Sequence, residues 1–486
     1  MISVFLFPSL FLSGTVLNGS IPESRSKQAE FQMGYIWVAL SAALFAGFDI
    51  GAHLTFVISY DFPLGKGYHS FIQTHGHLQL VGWAGLFIIG ISLHFIPRLA
   101  GVPVSQPQWI HRILWLMGVG LLLRSIGHVI LPYVTASPWF ILFGGIVVGS
   151  GLLEGSGIFA YLFLLSKTLY GVKGVDQRPA LTSVKPYFGM MLVGWLFYAS
   201  SNLILLIQMV LSKGSIIDLA WNEFSIQIFM GLVLLPVAFA FSIRTFPLYF
   251  RLAPIDWPVR KVAYAYLFAL CLQTVPAFPP LSDLIPRASF YLSQVGMLLK
   301  GGAIFWFVWK LDILTRFREP WTGQRALQPT SDRRPTRPGM PDYGEFGRFE
   351  RPVYAAYVWL VVGAFFEILL GIATLWGHPV SIGNDVIRHL YLLGFITHLI
   401  FGMSVRMIPG FIKKKRVAST QLVDFTFWLG TVATICRIFP LLLPSALFEA
   451  VPASVWAAKT AFAFSGIIGW LAVLCLAGNL WKTASL

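Results

Sequence analysis

Apolar residues come in twelve runs, each close to the roughly 20 residues that a bilayer core demands of a helix. The runs cover 34–58, 71–96, 109–131, 138–166, 186–211, 221–246, 260–279, 288–314, 352–376, 386–408, 420–443 and 454–480. Polar and charged residues gather in the gaps. The pattern predicts an all-α polytopic membrane protein with twelve transmembrane helices.

The runs repeat. His77-Leu-Gln-Leu-Val-Gly-Trp through Gly90, Ser92, His94, Ile96 and Pro97 aligns with His389-Leu-Tyr-Leu-Leu-Gly-Phe through Gly402, Ser404, Arg406, Ile408 and Pro409, with nine of twenty-one columns identical. A fainter copy, Ser242-Ile-Arg244-Thr-Phe-Pro247, lies between them, and there Gln227 takes the histidine column. Internal repetition of this kind marks a fold built from one unit several times over. Twelve helices in three copies give pseudo-symmetric four-helix repeats at 34–166, 186–315 and 352–486, with an N-terminal segment at 1–33 and a Pro/Arg-rich linker at 316–351. At the inner end of predicted helices 2, 6 and 10, a proline is expected to stop the helix just after His94, Arg244 or Arg406, which serve as end-of-helix anchors.

Composition agrees with a membrane class. Apolar residues make up 56% of the chain and charged residues only 11%, against about 25% charged in soluble domains. The +15 balance is a topology signal, and nucleic-acid binding is not implied by it. Basic residues follow predicted helices 2 (Arg98), 4 (Lys167, Lys173, Arg178, Lys185), 6 (Arg251, Arg260, Lys261), 8 (Arg316 to Arg351) and 10 (Lys413 to Arg416). Retention of basic loops on the inside then places both termini in the cytoplasm. The run Val4 to Leu17 lacks a basic n-region and fits a secretory signal poorly. Cys271, Cys436 and Cys475 form no CxxC or CxxCH motif, so neither a zinc site nor covalently attached haem is expected.

Histidine supplies the candidate chemistry. Of ten histidines, seven map to the outer half or outer loops: His53, His69, His75, His77, His128, His378 and His389. His77 and His389 share a repeat column and lie within about 10 Å of the outer boundary. Two neutral imidazoles at one depth can clamp a b-type haem; the alternative is a pair of histidines bonded to neighbouring helices. His75 and His77 point about 200° apart, so only one of them can serve, and His77 is favoured with His75 its rival. His398 lies about 13 Å along the helix from His389 and is available to a second metal or to structure. Arg124 and Arg388 are natural counter-charges for haem propionates. Asp49 with His53 forms an i,i+4 pair, and Glu154, Glu223 and Glu367 are intramembrane acids that suit a proton route.

Thr74-His-Gly-His-Leu-Gln-Leu-Val-Gly-Trp-Ala-Gly-Leu-Phe with His94-Phe-Ile-Pro-Arg, and Arg388-His-Leu-Tyr-Leu-Leu-Gly-Phe with Gly402-Met-Ser-Val-Arg-Met-Ile-Pro, resemble the NnrS family. Those are bacterial membrane proteins linked with nitric oxide metabolism and reported to bind haem and copper. A more distant resemblance is to subunit I of the haem-copper oxidases and nitric oxide reductases. It implies haem ligands on helices 2 and 10, where His77 and His389 fall. The chain departs from that pattern where helix 6 carries Gln227 and the run 260–279 carries no histidine, so a familiar dioxygen-reducing copper centre is not expected. Copper, if held, would draw on His53, His69, His75, His128 or His378.

The expected function is a haem-binding redox protein of nitric oxide metabolism or defence, with nitric oxide as substrate or ligand. Two alternatives stand beside it. One is an electron-transfer or anchor subunit that takes electrons from quinol for partner subunits. The other is a transporter, which repeats and broken helices also suit.

Overall fold

The computed structural model describes residues 29–170, 179–319, 344–378, 383–443 and 450–486. Most of the N-terminal segment 1–33, the core of the linker 316–351, and Lys173 and Arg178 lie outside these described residues. Every regular element among them is helical.

Eleven helices are long and apolar enough to cross a bilayer: α1 Gly34–Tyr60, α2 Gly65–Ala100, α3 Gln108–Tyr133, α4 Trp139–Tyr170, α5 Lys185–Leu211, α6 Leu219–Tyr249, and, after α7, α8 Pro286–Leu311, α9 Glu350–Leu375, α10 Asn384–Phe411, α11 Thr420–Leu442 and α12 Ala453–Ser485. The expected seventh span is the 16-residue helix α7, Val259–Thr274. At about 1.5 Å per residue it reaches about 24 Å, short of a core of roughly 30 Å, because the Pro-rich stretch after it starts a separate short helix, Pro279–Leu284. The chain is therefore a multi-pass membrane protein with eleven full-length spans among its described residues, and α7 is a shorter helix beside them.

Burial sorts the helices into two layers. The apolar windows of α2, α6 and α10 are 83%, 78% and 72% buried, while those of the other spans are 28–50% buried. Those three helices form the centre, and the rest ring them with lipid-facing surfaces. The most extensively packed pairs are α3 with α4, α7 with α8, and α11 with α12, and α12 closes the ring against α1. Close approach explains one of these contacts. A Cβ on Gly296 would stand 2.2 Å from the backbone nitrogen of Gln273, so any side chain there would drive α8 off α7.

The three central helices share a departure from α geometry. Each carries a π-helical segment next to the repeated histidine column: Leu78–Gly85 after His77, Phe229–Leu234 after Gln227, and Leu390–Thr397 after His389. Such segments are rare and gather at functional sites. The repeated prolines behave differently from expectation. Pro97, Pro247 and Pro409 lie inside their helices, which continue to Ala100, Tyr249 and Phe411. A proline this close to the end removes few backbone bonds, so the helix runs past it. Arg406 nonetheless stays anchored, with its guanidinium 4.4 Å from the Tyr249 ring centroid and 4.3 Å from that of Phe346.

Candidate functional site

The half of the bundle where α10 begins encloses a cavity of about 470 Å³. His75, His77 and His389 all line it, together with Arg124, Arg388 and Arg437. Apolar walls come from Phe48, Leu392, Leu393, Ile396 and Phe462.

What separates the histidines is how each places its ring nitrogens. His75 Nδ1 lies 2.8 Å from the carbonyl oxygen of Gly47, at the end of a π segment in α1, Ala43–Gly47. His389 Nδ1 lies 2.8 Å from the carbonyl oxygen of Asp385 and 3.2 Å from its carboxylate Oδ1. A carbonyl can only accept, so both Nδ1 atoms carry the proton and both Nε2 atoms carry the lone pair. Neither Nε2 has a hydrogen-bond partner among the described residues. A backbone carbonyl on one nitrogen and an open second nitrogen is the arrangement that metal-bound histidines adopt. The seat of His75 is cut to fit: a Cβ on Gly51 would stand 2.6 Å from its Cε1.

His77 is engaged on both sides. Its Nε2 lies 2.7 Å from Glu154 Oε2 and its Nδ1 3.0 Å from the Tyr198 hydroxyl. It therefore turns toward α4 and α5, on the face of α2 away from His75, and has no free nitrogen for the ring opposite. Of the two rivals in α2, His75 shares with His389 a carbonyl-bound Nδ1 and an Nε2 without a partner among the described residues, and His77 does not. His398 is likewise spent, with Nδ1 3.0 Å from the Leu393 carbonyl and Nε2 3.4 Å from the Thr431 hydroxyl.

The residues named for copper are not brought together. His53, His69 and His378 are exposed, His53 and Asp49 both facing out of the bundle. His128 is fully buried, with Nε2 3.2 Å from the Ser215 carbonyl. Among the described residues, no three His, Cys, Asp or Glu side chains group as a metal site.

Charge around the cavity is positive and partly uncommitted. Arg388 is ion-paired with Glu223, whose Oε1 also accepts from Gln227 Nε2 at 3.3 Å. Arg437 pairs with Asp385 Oδ2 at 3.1 Å while its Nε and Nη1 have no partner. Arg437 is a functional candidate that the spacing argument missed. An arginine inside the apolar run 420–443 was the available signal.

The residues thus fit a haem. Two histidines, each with an unpartnered Nε2, line one cavity, two arginines line it near His389 for propionates, and the walls are apolar. A second cleft of about 420 Å³ lies among α6 to α10. In it Lys300 and Glu367 pair at 2.6 Å, and the Tyr391 hydroxyl donates to Glu367 at 2.7 Å. Arg388 lines both cavities.

The architecture has a counterpart among solved structures. A chain described as "Cryo-EM structure of a heme-copper terminal oxidase dimer provides insights into its catalytic mechanism" superposes with a TM-score of 0.58 at 12% identity, covering 93% of this chain and 84% of that one. The fold is similar to that of a haem-copper terminal oxidase. The oxidase-like fold spans nearly the whole chain, including the ring of outer helices and the central three. No family model matches the sequence, and no curated protein does. The resemblance to the NnrS family therefore rests on its motifs alone.

Proposed function

We propose that the protein is a haem b-binding membrane redox protein that acts in nitric oxide metabolism or defence, with His75 and His389 as the residues that would hold the haem. The observation that carries this reading is the matched state of those two imidazoles: each donates Nδ1–H to a backbone carbonyl and has an Nε2 without a partner among the described residues, and both residues line the same cavity. A haem b held there would supply a one-electron couple. The chain's own groups hold the imidazoles in one tautomer, offer Arg388 and Arg437 to carboxylates, and keep water from the apolar walls. A haem held by two imidazoles would suit electron transfer. The nitric oxide assignment is supported by the NnrS-like motifs around these two histidines.

Haem content and absorption of the purified full chain test the reading. Wild type should show a six-coordinate b-type spectrum, and His75→Ala and His389→Ala should lose most of the haem, at least about 10-fold in affinity. His77→Ala should keep the bis-histidine spectrum. If His75→Ala retains it while His77→Ala loses it, the ligand in α2 is His77. If wild type binds no haem, the redox reading falls.

A further inference from the structure

We propose that the three central helices hold between them a binding site for a small apolar gas, a diatomic of nitric oxide's kind. The site is a space of about 100 Å³ lined by residues of α2, α6 and α10. The internal repeat explains why it is there. Four residues before the repeated serines Ser92, Ser242 and Ser404 stand Ile88, Ala238 and Ile400, and one residue before them stand Ile91, Phe241 and Met403. All six line the space. The middle repeat thus puts a methyl group where the other two put an isoleucine side chain, and the volume stays open. Ile88, Ile91, Phe241, Ile400 and Met403 are only half-buried, although their helices form the centre of the bundle.

The chemistry of the lining decides the occupant. Its polar side chains are Ser242, Thr245 and Ser404, and each spends its proton on its own helix. Ser242 donates to the Ala238 carbonyl at 2.7 Å, Thr245 to the Phe241 carbonyl at 2.8 Å and Ser404 to the Phe401 carbonyl at 3.3 Å. Ser242 also accepts from the Tyr357 hydroxyl at 2.6 Å. An interior water needs about two to four polar partners, and here the hydroxyl protons are already committed. Apolar cavities of about 150 Å³ stay dry and take up xenon or benzene. This one is smaller, the volume of roughly three waters, so it suits a molecule of two or three atoms and shuts out an acyl chain. Such gases favour apolar surroundings over water, and the bilayer supplies them.

Ile396 lines both this space and the histidine-lined cavity, so the two share a wall. That nitric oxide is the natural occupant rests on the proposed function; the site itself does not.

Crystals of the full chain, grown from haem-free protein and pressurised with xenon, test the proposal. Wild type should show an anomalous xenon peak between Ile88, Ala238 and Ile400. Ala238→Ile, which restores the residue of the other two repeats, should lose that peak and keep any xenon bound on the lipid-facing surface. Ala238→Val takes a smaller step and should weaken the peak, which keeps the test open if isoleucine overpacks the fold. Met403→Ala enlarges the same space and should raise xenon occupancy. Nitric oxide admitted with the xenon should lower it. The proposal is overturned by the absence of a peak in wild type, by an undiminished peak in the Ala238 variants, or by failure of nitric oxide to compete. Ordered water or an acyl chain filling the space before pressurisation overturns it equally. Because the readout is xenon density in protein without haem, this site can fail while haem binds, and stand while haem binding fails.

Discussion

An imidazole inside a bilayer has two ring nitrogens to satisfy and no water to satisfy them. His77 and His398 find protein partners for both nitrogens, whereas His75 and His389 find one each and leave the other open to a cavity. The difference is set within a few ångströms. Gly51 decides it for His75, because only a residue without a Cβ leaves room for the ring beside α1. Gly51→Val should push the ring away from the Gly47 carbonyl and lower haem occupancy several-fold. Haem-to-protein ratio measures this, with circular dichroism confirming that the helices are intact. Full occupancy with an unchanged spectrum would argue that His75 is not a ligand.

Helix pairs in this protein are joined by few but costly polar contacts. Lys300 on α8 and Glu367 on α9 meet at 2.6 Å with 8% and 3% of their side chains exposed, and Gln273 on α7 and Tyr391 on α10 also bond the carboxylate. Removing one partner strands the other charge in a medium that cannot solvate it. Lys300→Met alone should destabilise by about 3–5 kcal/mol. The double substitution Lys300→Met with Glu367→Gln should recover most of that loss, because no buried charge remains. Unfolding of the two variants in detergent checks the coupling; equal destabilisation by the single and the double change would mean that the pair does not act as a unit. The acid was legible as an intramembrane Glu, but its partner was not. α8 and α9 are separated by the linker, and no local period connects residues across it.

At the scale of the molecule, the paired histidines sit toward the end of the bundle where α10 begins, and the basic run Lys413 to Arg416 follows its other end. If basic loops face the cytoplasm, the cavity opens toward the outside. In a background with Cys271, Cys436 and Cys475 replaced, a membrane-impermeant maleimide applied to intact cells should label Asn384→Cys and spare Lys415→Cys. Both positions are exposed, so the reverse pattern would invert the topology and place the site on the cytoplasmic side.

The sequence alone determined the membrane class, the approximate helix limits, the correspondence of helices 2, 6 and 10, and the set of histidines worth considering. These follow from hydrophobic run length and from internal repetition, which are local properties of a chain that a lipid solvent constrains strongly. Tertiary structure decided which histidine keeps a free nitrogen, that Arg437 joins the site, and that α7 falls short of a full span. Those depend on carbonyls, hydroxyls and carboxylates brought in from helices far apart in sequence. π segments in the central helices add to this by turning the face of each helix away from the angle that 3.6 residues per turn would give. A repeat column can thus fix the depth of His77 and His389, while the packing of α1, α4 and α5 fixes which ring keeps a nitrogen without a hydrogen-bond partner.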